Sequence, residues 1–402
     1  MKRLLIYSQD GTGLGHLQRT RNIARQILRL EPDTSILILA DSSLTPFFAP
    51  IPGLDYLKLP TIIKTGDVSW TTSTLPLNIR DMVNLRAKII QKAFCAFNPD
   101  SVLVDHMPIG ALGELKPMLE YSRRKKKKAK LFLGLRDILD RPEVIRQVWK
   151  DVNAYEYLPF YDGIFIYGTS EIYPVEEAYG LTPMADNLTY CNYVTHPVKK
   201  ESYTNGSGDP FIFVMAGGGR DAFHMTNTFL DAFPILHRKE DIGAYILTGP
   251  QMPEADREML RRKAEGYPIQ MFSSSDEVAR YLQKASAVVT MAGYNSLCEV
   301  LAWGKKSLVV PRSGPSAEQR IRTTVFAKRE LVRMLDPDEL SPERMADGIR
   351  KLLVDEGLPN EANVPPLDGA KRAAALLLEI NNGASSQNAD QPAHAQNIRR
   401  VG

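Results

Sequence analysis

Residues 3–16 read Arg-Leu-Leu-Ile-Tyr-Ser-Gln-Asp-Gly-Thr-Gly-Leu-Gly-His, and a helix pattern continues from there to Leu30. The opening run, Arg3 to Ser8, is strand-sized and apolar enough to be covered on both faces. Polar Ser8, Gln9 and Asp10 end it too soon for a signal peptide. Glycines at a strand-to-helix turn allow positive φ and close approach by a ligand, while the helix N-terminus adds free N–H groups and a positive dipole end. Strand, glycine turn and helix in this order predict an α/β domain with its ligand at the carboxyl edge of a parallel sheet.

The alternation continues along the chain. Further strand-sized runs are Ser35 to Ala40, Ser101 to Asp105, Lys130 to Leu135 and Gly163 to Tyr167. After a stretch rich in Lys, Asn and Gly it begins again, with Phe211 to Ala216, Ala244 to Thr248, Ala287 to Met291 and Ser307 to Pro311. At 402 residues and 44% apolar, the chain is long enough for two cores. The expected organisation is a Rossmann-like domain over 1–194, a linker over 195–209 and a second such domain over 210–357. A linker and helix over 358–382, with the helix from Ala370 to Ile380, precede a tail over 383–402 of disorder-prone composition.

Lys and Arg total 50 against 47 for Asp and Glu, so the net charge of +3 leaves no global footprint for nucleic acid. Seven of those cations lie in one run, Arg123 to Lys130, so the rest of the chain is slightly acidic. The run reads as a solvated loop after a helix; contact with anionic lipid headgroups is the alternative. Cys95, Cys191 and Cys298 are too scattered for a disulfide framework or a metal knuckle, and the apolar runs are too short to span a bilayer. The expected location is cytoplasmic, peripheral at the inner membrane face if the basic run touches lipid.

The first glycine loop does not fit the dinucleotide fingerprint, because G-x-G-x-x-G started at Gly11 puts His16 in its last place. Two further loops change the reading. Ala216-Gly217-Gly218-Gly219-Arg220-Asp221 follows the first strand of the second half, and Met291-Ala292-Gly293-Tyr294-Asn295-Ser296-Leu297-Cys298-Glu299 follows a later strand and opens a helix.

These loops together resemble the two-domain GT-B glycosyltransferases, more specifically the branch containing the peptidoglycan N-acetylglucosaminyltransferase that acts on a lipid-linked acceptor. His16 closes the first loop as in that family, the second and third loops follow in order, and Glu318-Gln319 stands where the family has an acidic or amide pair. Two places depart from it. The first loop reads Gly-Leu-Gly-His where that enzyme has adjacent glycines, and Gly219 and Arg220 stand where a hydroxyl and an amide are usual.

His16 is the candidate general base, since a near-neutral imidazole beside a cleft removes a proton from an attacking hydroxyl. Asp105 ends a strand at the ligand-bearing edge, the place of the base-orienting aspartate in the natural-product glycosyltransferases this segment resembles; capping of the following turn is the alternative. On the donor side, Gly13, Gly15, Gly217, Gly218, Gly219, Gly293, Asn295 and Ser296 supply amides and small polar groups to a diphosphate. Arg220 adds a charge there, or pairs with Asp221. The resemblance gives Glu299 the ribose hydroxyls, and Glu318 and Gln319 the donor-sugar hydroxyls unless Ser316 makes them part of a capping box.

Asp336-Pro337-Asp338 mimics a metal-binding D-x-D, but the following Ser341, Pro342 and Arg344 read as cap and first helical turn. The expectation is therefore a metal-independent, inverting glycosyltransferase with no cofactor. Its donor is a nucleotide sugar, uridine-linked by resemblance alone, and its acceptor, lipid-linked or small, is unnamed. A nucleotide-sugar hydrolase or epimerase on the same fold, or a noncatalytic binding subunit, are the other readings.

Overall fold

A computed structural model of the chain describes residues 2–381 except 12, 46–48, 50, 66–68, 126–128, 199–208 and 276. Most of the expected linker, Lys126 to Lys128 and the expected tail lie outside the described residues. The first half builds β1 (Arg3–Ser8), β2 (Ser35–Ala40), β3 (Leu54–Lys58), β4 (Ile62–Lys64), β5 (Trp70–Thr72), β6 (Ser101–Asp105), β7 (Lys130–Arg136), β8 (Gly163–Tyr167) and β9 (Leu188–Tyr190). Seven of these form one parallel sheet in the order β3-β2-β1-β6-β7-β8-β9, and β4 and β5 pair as a separate antiparallel hairpin. The second half builds β10 (Phe211–Met215), β11 (Gly243–Leu247), β12 (Ile269–Phe272), β13 (Ala287–Thr290), β14 (Ser307–Val309) and β15 (Arg333–Met334). They form a parallel sheet in the order β12-β11-β10-β13-β14-β15.

Both sheets reverse their winding beside their first strand. β1 lies between β2 and β6, and β10 lies between β11 and β13. Loops leaving adjacent strands in opposite senses open a crevice at the carboxyl edge, where α/β folds hold ligands. The strands beside each crevice, such as β6 and β10, are buried throughout, which is why they read as unbroken apolar runs.

The halves share one apolar core. Tyr167 and Tyr193 from the first half lie in the same cluster as Tyr294, Leu297 and Phe326 from the second. Tyr193 stacks on Tyr294 with ring centroids 5.7 Å apart. The terminal helix, Gly369–Asn381, leaves the second half and packs on the helix Gly15–Leu30; Ala370, Ala373, Ala374 and Leu377 meet Leu17, Ile23, Ala24 and Ile27.

Candidate functional site

The register of the first sheet assembles its centre. Ser8 of β1 pairs with Asp105 of β6, so the loop after β1 runs past the end of β6. Asp105 is fully buried, and its Oδ2 lies 2.6 Å from His16 Nδ1. Rather than capping the following turn, the carboxylate is gripped from its other side by Arg19, whose Nη2 lies 2.9 and 2.7 Å from the two oxygens. The same Nη2 is 2.7 Å from His16 Nδ1. Nδ1 thus lies between an acceptor, Asp105 Oδ2, and a donor, Arg19 Nη2, which is already engaged on both carboxylate oxygens; a ring proton on Nδ1 toward the carboxylate leaves Nε2 with the lone pair. Burial, with Arg19 and then Arg136 nearby, holds the His16 pKa well below the ordinary histidine value. A neutral imidazole with Nε2 unprotonated accepts a proton near neutral pH.

Sequence reasoning missed two members of this cluster. Arg19 is fully buried between the Tyr167 and Tyr294 rings, its guanidinium carbon 5.3 Å from each centroid. His106 stacks on His16 with centroids 4.4 Å apart and planes at 23°. Its position directly after Asp105 was the available signal.

The first loop corrects one expectation. The start of helix Gly15–Leu30 is not open to a ligand anion, because Asp10 already accepts from His16 N at 2.9 Å and Leu17 N at 2.7 Å. Asp10 is itself lifted to about 7 by burial. Gly13 N donates to Asp10 O, and Gly15 O accepts from the Asn295 side chain at 3.0 Å. The glycines shape the turn and touch the other half; two of the helix's leading amides are spent.

In the second half the loops stay open. No side chain caps the helix Tyr294–Ala302, whose N-cap is Gly293. Positions for a Cβ on Gly217 and on Gly293 each fall 3.7 Å from Ser296 Oγ, so that hydroxyl sits between the second and third loops. Gly219 has φ +95° and lies so close to the neighbouring loop that a Cβ would be 2.3 Å from Thr248 O. Gly219→Ala should therefore displace this loop and destabilise the fold by more than about 1 kcal/mol, read as a lowered urea midpoint. An unchanged midpoint would mean that the loop gives way.

Glu299, half-buried in the first turns of that helix, has no side-chain partner among the described residues, and burial raises its carboxyl to about 7. Arg220 is exposed and does not pair with Asp221, which instead binds Arg312 at 3.0 Å. Adjacent side chains leave the loop in different directions, and Arg312 reaches Asp221 from across the sheet edge.

Glu318 and Gln319 begin the helix Glu318–Lys328. Glu318 lies in a cross-cleft ionic cluster, with Oε1 2.6 Å from Arg136 and 2.8 Å from Arg322. The arginines hold its carboxyl at about 2 against the opposing effect of burial. Arg322 also binds Asp137 at 2.7 Å, so the cluster joins the end of β7 to the second half. Gln319 Oε1 accepts from Arg312 N at 3.0 Å, and Ser316 Oγ accepts from Glu318 N at 3.3 Å. Asp336 and Asp338 both bind Arg320, and Ser341 caps the helix Pro342–Val354. No described helix is long and apolar enough to cross a membrane.

Two parallel sheets facing a shared crevice define the GT-B fold, and solved structures agree. The crystal structure of Acinetobacter baumannii MurG matches with a TM-score of 0.56 at 12% identity, over 95% of this chain and 100% of that one. A putative UDP-N-acetylglucosamine 2-epimerase from Listeria monocytogenes gives 0.63 at 15%, over 98% and 99%.

The chain further resembles the peptidoglycan N-acetylglucosaminyltransferase branch of that fold. Residues 211–375 match the family described as glycosyltransferase family 28 C-terminal domain. A Citrifermentans bemidjiense protein named UDP-N-acetylglucosamine–N-acetylmuramyl-(pentapeptide) pyrophosphoryl-undecaprenol N-acetylglucosamine transferase is 26% identical over 239 residues, 55% of this chain and 62% of that protein. A Rhizobium etli protein of the same name is 27% identical over 183 residues, 43% of this chain and 47% of that one. The chain thus spans roughly half the length of the curated relatives it matches.

Proposed function

We propose that this protein transfers a sugar from a nucleotide-sugar donor to an acceptor hydroxyl with inversion at the anomeric carbon. The observation that carries the reading is His16 bonded to Asp105 at 2.6 Å in a loop that also touches Asn295 at the opening of the third glycine loop. A base and a nucleotide-type loop face one crevice. The acceptor oxygen attacks the anomeric carbon as the bond to the nucleoside diphosphate breaks on the opposite face, and the hydroxyl proton passes to His16 Nε2. Asp105 steadies the imidazolium that forms, and Arg19 holds that carboxylate in place.

On the donor side, the uncapped helix start at Gly293, Ser296 and the Gly217 to Gly219 amides meet the diphosphate charge, with Arg220 at the exposed rim. Glu318 is held by two arginines, so of the pair Gln319 has the freer side chain for the sugar. Lys130, the last residue of the basic run, begins β7 at the amino end of that strand, away from the crevice. Incubating the protein with UDP-N-acetylglucosamine and its relatives, with and without candidate acceptors, tests the reading. Consumption that is independent of acceptor would replace transferase by hydrolase or epimerase.

Glu299 gives a second check. A carboxylate accepts both ribose hydroxyls, and its loss should weaken uridine diphosphate by about 1.5–3 kcal/mol, or tenfold and more. Because burial lifts the Glu299 pKa to about 7, the anion is scarce at pH 6 and prevails at pH 8. Affinity for uridine, which carries no titrating phosphate, should rise across that interval. Glu299→Gln should flatten the profile; equal slopes in calorimetry would remove Glu299 from the ribose.

A further inference from the structure

His106 has three features that the proposed transfer does not use. It adopts φ +79°, a left-handed conformation that a histidine seldom takes, with its backbone N–H held to Gly134 O at 2.7 Å. Its ring stacks on His16 at 4.4 Å. Its Nδ1 is buried without a hydrogen-bond partner, while the residue as a whole stays partly exposed.

The orphaned nitrogen decides the tautomer. A buried N–H with no acceptor is rarer and more costly than a buried lone pair with no donor. The proton therefore sits on Nε2, the ring nitrogen left for the crevice. The stacked rings then present opposite characters: His16, with its Nδ1 proton on Asp105, offers an acceptor, and His106 offers a donor. Burial, followed by His16 and Arg136, keeps the second ring neutral as well.

We propose that His106 is an acceptor-binding residue whose Nε2–H bonds an oxygen on the carbon next to the attacking hydroxyl, so that the acceptor is a polyol or sugar rather than a simple alcohol. The inference rests on the transferase reading only in taking His16 as the base. Oxygens on neighbouring carbons lie about one hydrogen-bond length apart, close enough for one to face each ring of a stacked pair.

The test uses the full protein with 15N-labelled histidines and ring-nitrogen correlation spectra, which report tautomers directly; six histidines make assignment by single variants practical. At neutral pH His106 should be the Nε2–H tautomer and His16 the Nδ1–H tautomer. With uridine diphosphate present, methyl β-glucoside should shift both rings, and cyclohexanol at equal concentration should leave His106 unmoved. His106→Gly keeps the backbone conformation and should raise the half-saturating glucoside concentration, read on His16, by about tenfold. His106→Asn, which tolerates positive φ and offers an amide donor, should recover part of it. A proton on His106 Nδ1, no shift with the glucoside, or an equal shift with cyclohexanol overturns the proposal. Failure to consume any nucleotide sugar would instead sink the transferase reading, leaving these spectra to stand by themselves.

Discussion

His16→Ala is expected to lower turnover by about 10²–10⁴ while donor affinity stays close to wild type, because in the proposed transfer the ring is the proton acceptor and the nucleotide is held by the other half. Asp105→Asn gives a smaller catalytic loss per folded molecule, and the double variant falls well short of additivity, since an orienting carboxylate has nothing to orient once the imidazole is gone. The geometry adds a complication. Arg19 grips both Asp105 oxygens, so Asp105→Asn also strands a buried guanidinium, and the variant should be less stable than His16→Ala. Rates must therefore be normalised to folded protein. Near-wild-type transfer by His16→Ala would falsify the base assignment, and additive losses would free Asp105 from it.

The second large effect lies in stability. Arg322 is buried with Asp137, donates to the Ala292 and Ile138 carbonyls and contacts Glu318. Arg322→Ala leaves Asp137 without its cation and should cost about 3–5 kcal/mol, a large share of the roughly 5–15 kcal/mol that folded domains possess. Because the contact joins both halves, the urea midpoint of each should fall. The pH dependence has a definite sign. Glu318 is held at about 2, below the ordinary carboxylate value, so its contribution is present above that ordinary value and fades as pH drops toward 2. In Arg322→Ala that contribution should be smaller and its fading complete at higher pH, since only Arg136 remains of the close pair. Equal acid unfolding of both proteins would show that the cluster holds nothing together.

The parts of the site legible in the sequence are those set by local chemistry and sheet order. His16 and the three glycine loops follow strands directly, and Asp105 meets His16 because β6 pairs with β1. What stayed hidden depends on docking. Asp137 and Arg322 are 185 positions apart, and no local pattern marks either as a partner. Asp221 looked like the partner of its neighbour Arg220 and binds Arg312 instead. The turn with Gly13 and Gly15 read as an anion site, and the Asp10 carboxyl is already seated on the helix start. Among strands, the sheet-edge members β3, β9, β12 and β15 and the hairpin pair β4 and β5 were missed because they are short or carry polar residues where they are only partly covered.

The terminal helix Gly369–Asn381, seated on Gly15–Leu30, sets an order of events during synthesis. A chain emerging from the ribosome completes its first sheet early, yet the apolar face of its first helix waits for residues made after the whole second half. Until those residues arrive, the part of that face turned away from the sheet is exposed to other chains. The helix that carries His16 is thus finished only after the second half has been made, which ties the durability of the first half to the delivery of residues 369–381.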